Sequence, residues 1–364
     1  MAYGTINAEQ LTTQSGFTLG AGNASSFKNR IINGAMVIDQ RNAGASVAAG
    51  NAYTLDRWLV RTDTGTGNTT QQSTTVPTGF KNSLIVTIGT GAAPASGGRN
   101  YIQQPIEGLN VYDFAWGTAS AATVTLSFWV RSSLTGTFGG ALQNSAGDRS
   151  YPFTYTINAA NTYEQKTVTI AGDTSGTWLT TNGVGIILYI GLGNGSTFNG
   201  TAGAWAAADY RSATGATNVV ATTGATFYIT GVQLEVGTVA TSFDYRSYGT
   251  ELALCQRYFV KDLQETVTAT FLCGVISTAT DANRCGMRFP VPMRSSPTAA
   301  IGGTSNPRIY DGSTAVATTS IVNNTSNFWG ASLVLAASAG GLVVGRAAVI
   351  IDNVASFITY SSEL

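Results

Sequence analysis

Alternation of apolar and polar positions organises this chain from residue 27 onward. It is cleanest at residues 123–131 (TVTLSFWVR), where Val124, Leu126, Phe128 and Val130 share one face. Thr125, Ser127, Trp129 and Arg131 share the other, so the period of two predicts a half-buried strand with Trp129 on its polar side. Thr226–Val236 alternates in the same way around Phe227, Ile229 and Val232. Residues 184–190 (VGIILYI) are nearly all apolar, and the run is of a length that fits a fully buried strand. Residues 27–40 predict a strand with a bulge or turn at Asn33-Gly34, and residues 53–60 a strand with Trp58 in the core. Residues 84–88 and 101–106 predict two more. Residues 151–157 and 163–170 flank a short Asn-bounded turn and predict a hairpin. Residues 62–79 read as a long loop or edge, and residues 191–223 as a loop holding Trp205 and Tyr210. No long helix interrupts this series, so residues 27–247 are expected to form an antiparallel double sheet with jelly-roll topology.

Beyond Val236 the pattern changes. An arm carrying Phe243, Tyr245 and Tyr248 leads to Leu252, Cys255, Tyr258 and Phe259 at helical spacing. This predicts a linker helix over 248–260, with Thr250 as N-cap and Glu251 at its positive end. Shorter strands follow at 266–276, 284–289, 299–301, 332–335, 341–352 and 354–360, with Pro290, Pro292 and Pro297 confining one piece to an edge. A second, smaller β-sandwich over 261–364 is expected, so the fold class is all-β. Residues 1–26 are small and polar, too sparse in apolar groups to bury a core, and are expected to be an attachment arm.

Composition narrows the chemistry. The chain has 19 basic and 19 acidic residues, and no clustered basic face for nucleic acid. Arg284, Arg288 and Arg294 lie close together but read as a solvated strand face. Histidine is absent, which excludes Ser-His-Asp and Cys-His nucleophile systems, His-based zinc sites and imidazole pH switches. Cys255, Cys273 and Cys285 have no C-x-x-C spacing and read as buried thiols in a chain assembled in a reducing cytoplasm. No signal peptide and no membrane-spanning apolar run is visible.

The segment GVQLEVG-x-x-ATSF-x-YR-x-YGTELALCQRYF, with FKNRIINGAMVIDQRNAG upstream, resembles virion structural proteins of tailed bacteriophages and prophages, chiefly tail fibres. The resemblance implies a galactose-binding-like or carbohydrate-binding-module-like jelly roll and a homotrimer. It also implies docking to other tail proteins through residues 1–26 and contact with host surface polysaccharide, while the lack of catalytic apparatus among the residues leads to the expectation of no enzymatic activity. The expected location is the phage virion, reached from the host cytoplasm without an export signal. A head-decoration or baseplate part, or a capsule-degrading glycosidase, are the rival expectations.

Sugar contact requires aromatic faces for apolar ring surfaces and polar groups for hydroxyls. The candidates are Trp205, Tyr210, Trp129, Trp116, Trp178 and Trp329; for each, a place in the core or at a subunit interface is the alternative. A glycosidase would need two carboxylates roughly 5–10 Å apart. Glu107, Asp113, Asp148, Glu164, Asp173 and Asp209 are available, none in a recognised motif. Carbohydrate-binding jelly rolls often bridge their first and last strands with calcium, and Asp39, Glu235 and Asp244 would be the acids here. Salt bridges or caps are the alternative for the same three.

Overall fold

The computed structural model describes residues 10–12, 18–20, 27–263, 270–303, 306–351 and 356–364. The chain divides into two compact units, Met1–Glu251 with Leu364, and Leu252–Glu363. Of the N-terminal arm, only the antiparallel pair β1 (Gln10–Thr12) and β2 (Thr18–Gly20) is described; the docking role expected of it lies outside the described residues.

The first unit continues with β3 (Val47–Ala48), β4 (Gly50–Leu55), β5 (Trp58–Thr62), β6 (Thr69–Ser73), β7 (Ser83–Thr87), β8 (Asn100–Glu107) and β9 (Val124–Ser132). Then come β10 (Gly136–Gln143), β11 (Ser150–Ile157), β12 (Glu164–Ile170), β13 (Val184–Gly191), the short β14 (Asn199–Gly200) and β15 (Ser212–Ala213), and β16 (Thr226–Val236). Two six-stranded antiparallel sheets result, in the orders β11-β10-β13-β8-β5-β4 and β12-β9-β16-β7-β6-β3. Val124, Leu126, Phe128 and Val130 of β9 are fully buried, as their alternation requires. They join Leu84, Val86, Ile102, Phe138, Ile186, Leu188, Phe227 and Ile229 in one core. Each such side chain contributes about 1.5–3 kcal/mol by leaving water.

Residues 62–79, read as a long loop or edge, hold the strand β6, and four further departures from the sequence pattern have physical reasons. Residues 53–60 are not one strand: Arg57 takes φ 69° and turns β4 into β5. The strands β11 and β12 do not form a hairpin, because β11 pairs with β10 in one sheet and β12 with β9 in the other. The Glu164 carboxylate fixes this corner by accepting the N–H groups of Asn158 and Ala159 at 2.8 and 2.9 Å. The strand β10 escapes the pattern because it is Gly-rich. A Cβ on Gly139 would stand 2.4 Å from Ser212 Oγ, and one on Gly140 2.4 Å from the Tyr189 carbonyl oxygen. Only glycine admits so close an approach.

The fourth failure is residues 27–40, which are largely buried but form no strand. Their backbone groups are satisfied otherwise. In β16 the pairing with β9 shifts register between Thr230 and Gln233, where Gly231 takes φ 60°. This bulge frees the Val232 backbone to turn outward. Val232 N–H donates to the Gly34 carbonyl at 3.0 Å, Arg30 N–H to Leu234 at 2.9 Å, and Asn29 Nδ2 to the Val232 carbonyl at 3.0 Å. Asn29 Oδ1 in turn accepts the N–H groups of Ile31 and Leu234. A Cβ on Gly34 would lie 2.2 Å from the Val232 oxygen, so the Asn33-Gly34 pair is a packing requirement. Two motifs far apart in sequence therefore grip each other.

The arm after β16 is pinned by aromatics as its composition suggested. Phe80, Phe243 and Tyr245 pack pairwise at 4.8–5.5 Å, and Tyr245 Oη donates to the Gly79 carbonyl at 2.9 Å. The helix α1 (Tyr248–Gln256) is capped by Ser247, not Thr250: the Ser247 hydroxyl accepts the Thr250 N–H at 3.4 Å. Glu251 in its first turn accepts the N–H of Asn33 and faces Arg246 at 3.4 Å. Cys255 near its end is buried, as read; the side chains of Cys273 and Cys285 lie outside the described residues.

The second unit contains β17 (Phe259–Leu263), β18 (Thr270–Thr278), β19 (Asp281–Arg288), β20 (Thr298–Gly303) and β21 (Arg308–Tyr310). It ends with β22 (Ala315–Asn327), β23 (Gly330–Ala337), β24 (Ala347–Ile351) and β25 (Ser356–Ser361). In place of a second sandwich, a closed barrel forms in the order β18-β19-β23-β22-β21-β24, beside a three-stranded sheet β17-β25-β20. The Thr- and Asn-rich β22, unread in the sequence, pairs along the length of β23 and helps close the ring, so that these strands are paired on both sides. Ile276, Ile309, Leu333, Leu335 and Ile350 form its core.

Candidate functional site

Three of the tryptophans expected to meet sugar do come together, but against each other. Trp116 follows the turn at Tyr112–Phe114, Trp178 lies between β12 and β13, and Trp205 between β14 and β15. Their ring centroids stand 4.8 Å (Trp116–Trp178), 5.2 Å (Trp116–Trp205) and 5.4 Å (Trp178–Trp205) apart, at 77–79°. This is a closed edge-to-face cycle, the preferred geometry of the aromatic quadrupole. Phe114 and Tyr151 extend it. Each indole N–H donates to a backbone carbonyl: Trp116 to Ala122 at 2.8 Å, Trp178 to Ser175 at 3.1 Å, and Trp205 to Ala171 at 2.8 Å. A bidentate Arg149–Asp173 pair at 2.7 and 2.8 Å braces the same loops, and Gly176 leaves room for the Arg149 stem. With Trp116 only 7% exposed and the other two half-buried, the cycle is a clasp that fastens three loops to the sandwich. The expectation of three stacking platforms is corrected accordingly.

Tyr210 and Trp129 sit elsewhere. The Tyr210 ring covers Gly200, where a Cβ would meet it at 2.2 Å. The adjacent Arg211 binds Asp209 at both carboxylate oxygens (2.9 Å each), donates to Tyr101 Oη at 3.0 Å, and lies 4.6 Å above the Phe198 ring. Burial pushes the Asp209 carboxyl up, but Arg211 and Gln143 outweigh it and hold the group below its ordinary value. This network roofs the outer side of β8 and β13. Trp129 packs across Gly231 from Phe80 on the outer side of the other sheet.

The acids expected to hold calcium do not converge. Asp39 closes its own turn, accepting the N–H groups of Asn42 and Gly44 at 2.9 and 2.7 Å. Glu235, fully buried, accepts from Gln233 Nε2, Thr241 N–H and Thr241 Oγ1 at 2.7–2.8 Å. Asp244 accepts the Asn29 N–H at 3.3 Å, and its own N–H donates to Gln233 Oε1. Among the described residues no group of three or more His, Cys, Asp or Glu is placed to hold a metal. Glu235 and Asp244 serve the grip between the two motifs instead. The carboxylates weighed for glycoside hydrolysis are likewise engaged: Asp113 with Arg30, Asp148 with Asn144, Asp173 with Arg149, Glu164 with Lys166 and Asp209 with Arg211.

The tryptophan that does present its ring is Trp329, 53% exposed, beside Phe328 at 50%. These two residues are the whole loop between β22 and β23. Asn327 Oδ1 fixes the turn by accepting the N–H groups of Trp329 and Gly330 at 2.8 and 3.1 Å. The loop carbonyls accept from Phe289 and Met293 at 3.1 and 2.7 Å, so the backbone is held while the rings project. Unlike the clasp residues, Trp329 makes no side-chain hydrogen bond among the described residues, so its indole N–H is open to a ligand. Beneath it runs a groove of about 450 Å³, lined by Met287, Arg288, Ser326, Asn327 and Ser332 among others. Sequence reading passed over Phe328 and assigned Arg288 to a solvated face. The available signal was two aromatics held between Asn and Gly, a turn that cannot bury them.

No protein-family model matches the chain, and no curated sequence is similar to it. Solved structures resembling it include the enzymatically active domain of tailspike protein 4 of bacteriophage CBA120, at 13% identity and TM-score 0.33, over 58% of this chain and 22% of that one. The chain thus spans about a fifth of that tailspike structure. A C-terminal family 22 carbohydrate-binding module of Clostridium thermocellum Xyn10B matches at 15% identity and TM-score 0.28, over 56% of this chain and 99% of the module. A family 11 module from Clostridium thermocellum, in complex with a mixed-linked tetrasaccharide, matches at 10% and 0.27, over 55% and 98%. Likeness at this level carries no weight for what this chain binds.

Proposed function

We propose that the protein is a structural and adhesive part of a phage virion, of tail-fibre type, that touches host surface glycan through the Phe328–Trp329 tip. The observation that carries this reading is the pairing of two exposed rings with a groove holding Arg288, Asn327 and two serines. An exposed indole face takes the apolar side of a pyranose, while a guanidinium, an amide and hydroxyls suit its hydroxyl groups. The phage assignment is supported by the resemblance of the two gripping motifs, whose residues are structural and so mark the family without naming the ligand. Assembly as a homotrimer would present three tips, and contacts weak one by one would add through effective concentration.

The test is binding of the full chain to host cells and to their extracted polysaccharide, with wild type beside Trp329→Ala. Saturable binding that blocks phage adsorption and is lost in Trp329→Ala, at unchanged melting temperature, is expected. No binding at high micromolar protein would transfer the protein to a decoration or baseplate role.

A further inference from the structure

The grip between the two motifs holds a hydroxyl, a carboxylate and a primary amide in mutual contact. Gln233 and Glu235 stand two residues apart on β16, so they point to one side of it, and both are fully buried. The chain leaves β16 through Gly237 (φ 126°) and brings Thr241 back to that side. Thr241 Oγ1 donates to Glu235 Oε2 at 2.7 Å, and the Lys28 ammonium donates to Thr241 Oγ1. The other carboxylate oxygen, Oε1, accepts from Gln233 Nε2 and from the Thr241 N–H, each at 2.8 Å. Gln233 Nε2 lies 3.4 Å from Thr241 Oγ1, and Gln233 Oε1 accepts the Asp244 N–H at 2.8 Å.

The amide is thus held at both ends, its nitrogen by a carboxylate and its oxygen by a backbone N–H, with a hydroxyl oxygen beside it. Thr62 and Thr64 also touch side-chain amides, those of Asn68 and Asn100, at 3.0 Å each. Among the described residues no carboxylate bonds to either of those hydroxyls, so the Thr241 arrangement is not the ordinary one. A hydroxyl becomes a nucleophile when a positioned base takes its proton, and a backbone N–H on the carbonyl oxygen stabilises the oxyanion that attack creates. Gln233, Glu235, Thr241 and Asp244 supply those parts, and the full burial of Gln233 and Glu235 keeps water from competing.

We propose that Thr241 and Gln233 join in an intramolecular ester, with Glu235 as general base and then general acid. Glu235 Oε2 takes the Thr241 proton as Oγ1 bonds to Gln233 Cδ, and the carbonyl electron pair moves onto Gln233 Oε1, against the Asp244 N–H. The Lys28 cation beside Oγ1 favours the negative charge that develops on the hydroxyl oxygen. The carboxyl then passes the proton to Nε2, the Cδ–Nε2 bond breaks, and ammonia leaves. One hydroxyl and one primary amide give one ester and one ammonia, and no oxidant, cofactor or second reactant enters. The bond staples the arm after β16 to the closing strand of the sandwich, and it stands whether or not the Trp329 tip binds glycan.

Mass spectrometry of the purified full chain tests this. The protein should be lighter than the unlinked chain by one ammonia. Trypsin leaves residues 212–246 as one peptide, and cutting it after Glu235 with a glutamate-specific protease should leave the two halves joined. Thr241→Ser should still form the bond, Thr241→Val should retain the ammonia, and Glu235→Gln should slow formation about a hundredfold or more. Melting curves show whether each variant is folded, and the wild-type map decides the matter even where a variant is not. Wild type at full mass after prolonged incubation would overturn the proposal, as would linkage in Glu235→Gln at the wild-type rate. So would a mass loss that survives in Thr241→Val, or one that maps to an Asn-Gly pair such as Asn182-Gly183, where cyclisation also releases ammonia.

Discussion

Asn29 tests the grip between the two motifs most directly. Its buried side chain makes three hydrogen bonds to backbone: from Nδ2 to the Val232 carbonyl at 3.0 Å, and to Oδ1 from Ile31 N–H at 2.9 Å and Leu234 N–H at 3.1 Å. Asn29→Ala removes all three and leaves one acceptor and two donors inside the protein. An unsatisfied buried group costs about 1–3 kcal/mol, so with partial relaxation the loss should be about 3–5 kcal/mol. For a unit of this size that corresponds to a fall in melting temperature of about 10 °C. Differential scanning calorimetry reads the fall, and amide hydrogen exchange locates it, since Ile31 and Leu234 should lose protection first. A shift below about 2 °C with both amides still protected would refute the reasoning, and would mean that the strand β16 closes the sandwich without the N-terminal segment.

Other consequences are simpler. Trp205→Ala should open the aromatic clasp at a cost of about 2–4 kcal/mol, less than a fully buried Trp, and abolish the coupled indole signal in near-ultraviolet circular dichroism; an unchanged spectrum would deny the cycle. The Glu164 carboxyl, although burial pushes it up, is held at about 2, below its ordinary 4.5, by Lys166 and the N–H groups of Ala159 and Asn158. Its contribution to stability is therefore complete above pH 4.5 and lost as pH falls toward 2. Wild type should lose more stability than Glu164→Gln across that window, and parallel pH–melting curves would contradict the assignment. Gly231 takes φ 60°, and a Cβ there would stand 2.6 Å from the Phe80 ring. Gly231→Ala should therefore cost about 1–3 kcal/mol and loosen Phe243 and Tyr245, visible as faster cleavage of the arm by protease; an equally resistant arm would argue against the bulge as its anchor.

The aromatic residues show where legibility stopped. Trp58 was readable as core, and it is fully buried. Trp205 and Trp329 both follow stretches of small polar residues, and only the Asn327-Phe328-Trp329-Gly330 turn sets the second apart locally. One meets two other indoles brought in by loops from distant parts of the chain, and the other projects from a two-residue turn. The paired motifs were legible as a family mark, but their task of joining residues 29–34 to the bulged strand β16 was not.

The sequence by itself determined the all-β class, the inward face of each alternating strand, and the chemistry excluded by the absence of histidine. Those properties follow from backbone sterics and side-chain type, which act residue by residue. Only the tertiary structure decided which strand pairs with which, that the second unit closes into a barrel, and which aromatic rings are packed away and which are exposed. Those outcomes depend on long-range packing and on whether each buried donor or acceptor finds a partner, and a partner many residues away leaves no trace in the local pattern.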